Sequence, residues 1–315
     1  MRVAIIGYGR LGRAVELLLK DRSEFELAGI FSRHARDENK LIFPQSALYD
    51  FCDVDCAILC LGSGSDMVES APKIASKFNT VDTYDNHAHI SDYYKIMNEN
   101  ANKSSHTALI SSGWDPGLLS VIRSYAYSFL NKPRVSTVWG RGVSQGHSEV
   151  LRGIRGVRRA IAFTIPNSAS VCALMQSRIS PTSAELHTRL CVIVADECDR
   201  EYIRSTVLNF PDYFAPYKCE LRFVSEEEFE KNYAHISSHR GRIFASGLSG
   251  VYDENMSRIS ATVECDSNPQ LTAGILLSSA LAVHRLHKEK RYGAFTPLDV
   301  PPSYFLPKEN YFGFI

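Results

Sequence analysis

Residues 2–6 read RVAII and residues 7–12 read GYGRLG, followed by a helical run to about Lys20. The first segment is an apolar run of strand length. The second carries glycines at 7, 9 and 12, the spacing of a dinucleotide fingerprint. In that fingerprint one glycine makes the tight turn and the next lets a pyrophosphate approach the backbone. The last lets helix and strand pack closely. Alone the pattern is weak; between a buried strand and a helix it is specific. Working outward, Phe25–Phe31, Asp55–Leu61, Thr80–Asp82 and Thr107–Ser111 read as strands, with helical periodicity over Met67–Phe78 and Ser91–Asn102. This alternation predicts an α/β fold with a Rossmann-type doubly wound parallel sheet.

The texture changes after Gly117. Strand-like runs then follow one another at Arg134–Trp139, Arg158–Ile165, Thr188–Ala195, Tyr217–Val224, Arg242–Ser246 and Arg258–Glu264. Several alternate polar and apolar residues, as a sheet with one wet face does. They predict a second α+β domain with a mixed sheet. Asn268-Pro269 opens a long amphipathic helix ending near Gly293. The expected division is 1–117 for the nucleotide domain, 118–267 for a substrate-binding and dimerisation domain, and 268–315 for a helix and tail. By analogy with similar two-domain reductases, the tail is expected to return to the first domain.

Composition narrows the function. The chain has 315 residues, which suggests about two domains. It is 44% hydrophobic and 22% charged, in the range of ordinary soluble proteins. Lys plus Arg and Asp plus Glu each number 35, so the basic excess of a nucleic-acid binder is missing. The longest apolar run, Leu271–Val283, is too short to span a bilayer. The first strand begins at Arg2, which leaves no room for a secretory signal and predicts a cytoplasmic protein without membrane partners. Eight cysteines are too few for a disulfide scaffold. Cys56 and Cys60 lie on one strand, about 13 Å apart at four residues of extended chain, too far for one metal ion. His87, His89, His284 and His287 have no partners at ligand spacing, and no metal is expected.

The end of the second strand bears on cofactor choice. An acid is common there in NAD enzymes, to hold the ribose hydroxyls. Here Ser32-Arg33-His34 stands instead, with Arg36 nearby. Arg33 can grip a 2′-phosphate in a charge-assisted fork, which predicts NADP. The cofactor set is the turn Gly7, Tyr8, Gly9, Arg10, Leu11 and Gly12, then Ser32, Arg33 and His34. Cys60, Gly62, Ser63 and Ser65 complete it at the end of another strand, where ligands bind in such sheets.

Three polar clusters suit a substrate: DTYDNH (82–87), SGWDPG (112–117) and WGRGVSQGHS (139–148). The first two fall at strand carboxyl ends. Asp85 and Asp115 could there face one cationic group. Asp115 also fits a helix N-cap followed by proline at the first helical position.

These clusters, with GYGRLG, FSR, PDYF (211–214), SNPQLTA (267–273) and GAFT (293–296), resemble meso-diaminopimelate dehydrogenases over most of the chain. The resemblance implies NADP-dependent oxidative deamination of the D-centre of meso-2,6-diaminopimelate. The product, L-2-amino-6-oxopimelate, cyclises to tetrahydrodipicolinate, and the reverse reaction feeds lysine biosynthesis. It also implies a homodimer. On this resemblance Asp85 and Asp115 hold the D-centre amine as the catalytic pair. Gln145 and Gly146 hold the neighbouring carboxylate, with Trp114 and Trp139 lining the pocket. Thr164, Arg189, His239 and Asn268 bind the distal L-centre. The chain departs from the family at His34, where a second arginine is frequent. Two other readings compete. A dehydrogenase for a shorter amino acid would have no use for Arg189 and His239. A non-catalytic NADP sensor would have no use for Asp85 and Asp115.

Overall fold

In the computed structural model the described residues are 1–33, 42–176, 181–211, 213–307 and 312–313. His34 and Arg36, singled out above, lie outside them. The chain divides into two units, Met1–Ser124 with Pro269–Ile315, and Tyr125–Asn268.

The first unit runs β1 (Arg2–Ile6), α1 (Arg10–Leu19), β2 (Glu26–Ser32), β3 (Ile42–Pro44), β4 (Cys56–Leu59), α2 (Ser65–Ala75), β5 (Thr80–Asp82), α3 (Ile90–Lys103), β6 (Thr107–Leu109) and the start of α4 (Leu118–Ser128). The second holds β7 (Asn131–Trp139), β8 (Gly142–Val143), α5 (Gln145–Gly153), β9 (Val157–Pro166), α6 (Ser168–Gln176), α7 (Ser183–Leu186), β10 (His187–Ala195), α8 (Arg200–Leu208), β11 (Lys218–Phe223), α9 (Glu226–Asn232), β12 (His239–Ser249) and β13 (Asn255–Cys265). The chain then enters α10 (Asn268–Lys288) and ends on β14 (Gly293–Phe295) in the first unit.

The first unit is built on a seven-stranded sheet, ordered β14-β6-β5-β4-β1-β2-β3, with every neighbouring pair parallel. Side chains alternate across a strand, and β1 shows why its whole run is apolar. Val3 and Ile5 face a core shared with α1 and α10, whereas Ala4 and Ile6 face one shared with α2 and α3. The order reverses between β1 and β4, whose neighbours lie on opposite sides. The turns after those strands therefore flank the crevice where such sheets bind ligands.

The second unit has two sheets where one mixed sheet was expected. A mixed four-stranded sheet, β11-β10-β9-β8, stands beside an antiparallel three-stranded one, β13-β12-β7. β10 is buried on both faces: Cys191 and Ile193 meet α5 and α8, while Leu190, Val192 and Val194 meet α9.

Candidate active site

The β1–α1 turn has the form the glycine spacing predicts. Gly7 sits at φ +95°, and a Cβ there would fall 2.5 Å from the Cys60 carbonyl oxygen. A Cβ on Gly12 would collide with the Gly7 carbonyl, whereas one on Gly9 meets nothing within 4 Å. That open backbone is the space a pyrophosphate needs. α1 begins there with no side-chain cap and no acid in its first turn, so its free N–H groups and positive dipole end are left for an anion. Tyr8 donates its hydroxyl to Glu16 at 2.5 Å and lies under Arg13, which fixes the turn from outside. Across the crevice, the Cys60 N–H bonds to the Ile6 carbonyl at 2.7 Å, and Gly62, Ser63 and Ser65 lead into α2. Arg10 and Leu11 form the first turn of α1. These residues fit a bound dinucleotide.

Arg33 follows β2 and is more than half exposed, as a phosphate ligand should be. One structural fact departs from the sequence reading, which found no acid near it. The Arg33 guanidinium is paired with Asp66, in the first turn of α2. The two are far apart in sequence and meet only because β2 ends and α2 begins on the same side of the sheet. Arg33→Ala should weaken NADP binding by about 1.5–3 kcal/mol, roughly 10- to 150-fold, the range of a hydrogen bond to a charged group. NAD binding should change little, because it brings no 2′-phosphate. Titration of both nucleotides checks this, and an equal loss for both would remove Arg33 from the phosphate site.

Asp85 lies in the loop after β5; it is exposed and makes no ion pair among the described residues. Its backbone N–H donates to Ser63 Oγ at 3.2 Å, which ties the acid to the nucleotide loop. Asp115 is different. The sequence pattern suggested an N-cap, but α4 starts only at Leu118, after Gly117 at φ +130°. The Asp115 carboxylate instead accepts from both terminal nitrogens of Arg123, eight residues along and in α4. Asp115 is 8% exposed and Arg123 26%, so the pair is partly desolvated. Trp114 beside it is buried.

In the second unit, Thr164 and Arg189 are directly opposed on the antiparallel pair β9–β10, and the Arg189 guanidinium donates to Thr164 Oγ1. Arg189 is 5% exposed and lies over the Tyr217 ring at 4.1 Å. Its Nε is buried without a partner, and no carboxylate pairs with it among the described residues. A buried cation in that state is costly unless an anion arrives.

Neutral imidazoles surround it. His147, His187 and His239 are each pulled down to about 4, by burial first and in part by the Arg189 charge. His147 accepts the Ser144 hydroxyl at Nδ1, at 2.7 Å, and donates from Nε2 to the Tyr213 carbonyl at 2.9 Å. His187 donates from Nδ1 to the Ser183 carbonyl and accepts the Trp139 N–H at Nε2, at 2.8 Å. The Trp139 ring stacks on His239 at 5.8 Å. Gln145 and Gly146 open α5 beside His147, and Asn268 opens α10 with its N–H on the Ser237 carbonyl.

The order of proton uptake gives a stability prediction. An unfolded histidine titrates near 6.5 and these titrate near 4, so between those values the unfolded chain binds more protons. Their contribution is complete above pH 6.5 and is lost as pH falls toward 4. Asp82 in the first unit, pushed up to about 6, works in the opposite direction but alone. The thermal midpoint should therefore fall between pH 7.5 and pH 5. A flat profile would mean that these imidazoles are not held neutral.

Residues 113–267 match the family described as diaminopimelic acid dehydrogenase C-terminal domain. The meso-diaminopimelate D-dehydrogenase of Corynebacterium glutamicum is 39% identical over 313 residues, 98% of this chain and 96% of its own. The chain belongs to the meso-diaminopimelate dehydrogenase family. Two solved structures bear on this family's ligands. The Corynebacterium glutamicum dehydrogenase in complex with DAP has a TM-score of 0.94 and 38% identity, covering 98% of this chain and 96% of that one. An engineered D-amino acid dehydrogenase bound to NADP+ has a TM-score of 0.89 and 36% identity, with the same coverage. Asp66, Arg123, His187 and Tyr217 carry no signal in the sequence, and His147 shows only as part of the cluster 139–148. Their parts depend on contacts between segments distant in sequence or on burial, and neither leaves a local pattern. Among the described residues no group of three or more His, Cys, Asp or Glu could hold a metal ion.

Proposed function

We propose that the chain catalyses the reversible NADP-dependent oxidative deamination of the D-centre of meso-2,6-diaminopimelate, giving L-2-amino-6-oxopimelate and ammonium, in lysine biosynthesis. The β1–α1 turn and Arg33 would hold NADP, which would supply the acceptor for the hydride of the D-centre carbon. The observation that carries the substrate class is Arg189, a buried cation that lacks a carboxylate partner among the described residues. A substrate with a second amino-acid group brings that carboxylate, and Thr164, His239 and Asn268 offer its other polar groups hydrogen bonds. Fixing the L-centre there leaves only the D-centre hydrogen free to transfer, which gives stereospecificity by orientation.

Asp85 and Asp115 hold the D-centre ammonium as a pair, Asp85 with the larger share because Asp115 already divides its charge with Arg123. Gln145 and Gly146 take the carboxylate beside that carbon, and Trp114 and Trp139 line the pocket around it. The ammonium must lose a proton before hydride can leave, the nearby carboxylates stabilise the cationic imine that follows, and a water then adds to that imine and expels ammonium to leave the 6-oxo group. The unit Tyr125–Asn268 is proposed to carry the contacts of a cytoplasmic homodimer, as the family resemblance implies.

NADPH formation across meso-, D,D- and L,L-diaminopimelate, D-alanine and L-aspartate tests the reading. Turnover should be confined to the meso isomer. Comparable turnover of D-alanine, which has no distal group, would overturn the role of Arg189 and with it the substrate class.

A further inference from the structure

The parallel ladder between β5 and β6 ends at the pair Val81–Leu109. Beyond it the two chains leave the sheet as the loops that carry Asp85 and Asp115, and a single residue ties the roots of both. Asp82 is fully buried. Its Oδ1 accepts the Tyr84 N–H at 3.0 Å and the Ser111 N–H at 2.9 Å, and its Oδ2 accepts the Tyr93 hydroxyl at 2.8 Å. Its own carbonyl accepts the Ser112 N–H at 2.8 Å. Tyr84 immediately precedes Asp85, and Ser111-Ser112 immediately precede Gly113-Trp114-Asp115. Tyr93 reaches in from α3 and stacks on Tyr84 with ring centres 4.1 Å apart.

We propose that Asp82 is a positioning residue for the D-centre site, its carboxylate fixing the spacing of the loops that bear Asp85 and Asp115. The proposal rests on the reading of those two acids as the amine-holding pair. Three donors converge on Asp82 and no cation pairs with it among the described residues, so an acceptor-only side chain suits the place. Ionised, it binds two backbone N–H groups about twice as strongly as a neutral carbonyl would. Burial pushes its pKa up to about 6 while the hydrogen bonds pull it down, so it stays charged at neutral pH at a cost in stability. A side chain that served folding alone would do better neutral. The charge is accounted for if it holds two loops in register.

Asp82→Asn separates the two roles, with Asp85→Asn as a parallel control. The measurements are kcat, KM for meso-diaminopimelate, the dissociation constant for NADPH and the thermal midpoint at pH 8. The amide keeps one acceptor for the backbone N–H groups but turns a donor toward Tyr93. We expect kcat to fall about 3- to 10-fold, below the roughly 10²-fold cost of a 1 Å misplacement. NADPH binding should be unchanged and the midpoint equal or higher. Tyr93→Phe keeps the ring stack and removes one donor, so it should give a smaller fall in kcat; it decides the matter if the Asn variant is insoluble. Wild-type kcat in both variants overturns the proposal. So does a joint loss of kcat, NADPH binding and midpoint, the signature of a purely structural residue. Wild-type kcat in Asp85→Asn would instead overturn the reading of Asp85, whatever Asp82→Asn shows.

Discussion

Arg189→Ala is expected to lower kcat/KM for meso-diaminopimelate by roughly 10²–10³-fold, the scale of truncating one partner of a buried, hydrogen-bonded charge pair. The size follows from what surrounds the guanidinium. It is buried, its hydrogen-bonding neighbours are the neutral hydroxyls of Thr164 and Tyr217, and the nearby histidines are neutral. These neutral groups would not substitute for a guanidinium in holding a carboxylate. Arg189→Lys should recover only part of the loss, because an ammonium lacks the planar fork. Removal relieves a desolvated charge, so the variant should stay folded and bind NADPH as wild type does. Steady-state kinetics beside a thermal melt check both statements. Wild-type kcat/KM in a folded Arg189→Ala protein would show that the distal group binds elsewhere.

Asp85→Asn should give the second large effect, and its shape is more telling than its size. A carboxylate beside an ammonium raises the amine's pKa, typically by 1–3 units, roughly, for a close pair. Because the ammonium cannot release hydride, oxidative kcat should climb as pH rises above 7. Removing the Asp85 charge should shift that climb to lower pH while kcat at the plateau falls by roughly 10²-fold from poorer orientation. Asp115→Asn should move the climb less, because Arg123 already offsets that charge. The measurement is the pH profile of kcat for NADP reduction in wild type and both variants. A wild-type rate that falls from pH 7 to 9 in folded protein would refute deprotonation of the amine. A larger shift for Asp115→Asn than for Asp85→Asn would reverse the assignment of the two acids.

The parts of this molecule that could be read from sequence are those whose physics is local. The β1–α1 turn was legible because strand, glycine spacing and helix lie within 20 residues and each constrains the next. The long strands β9 and β10 were legible from sustained apolar or alternating runs. β8 and β14 were not, being two and three residues long with no room for a period. Asp115 misled because Asp-Pro before an apolar run is a good cap signal. Gly117 lets the chain turn once more before α4, and the carboxylate is left to find Arg123. Asp66 on Arg33 and Asp82 under two loops are invisible for another reason. Each joins segments that only the sheet order brings together. The neutrality of His147, His187 and His239 is a product of burial, and a sequence carries no direct record of burial around a polar side chain.

β14 closes the first sheet with residues made long after the strand it pairs with. Thr107 at the start of β6 bonds to the Arg291 carbonyl across 184 positions of chain, and the Gly293 N–H bonds to the His106 carbonyl. On a ribosome adding about 5–20 residues per second, β6 waits roughly 10–40 s as a bare sheet edge while all of the intervening unit emerges. An unpaired edge is a template for other nascent chains. The unit that holds β1 is therefore begun before the intervening unit and completed after it, and chains stalled before Gly293 should be the ones that aggregate or are captured by chaperones.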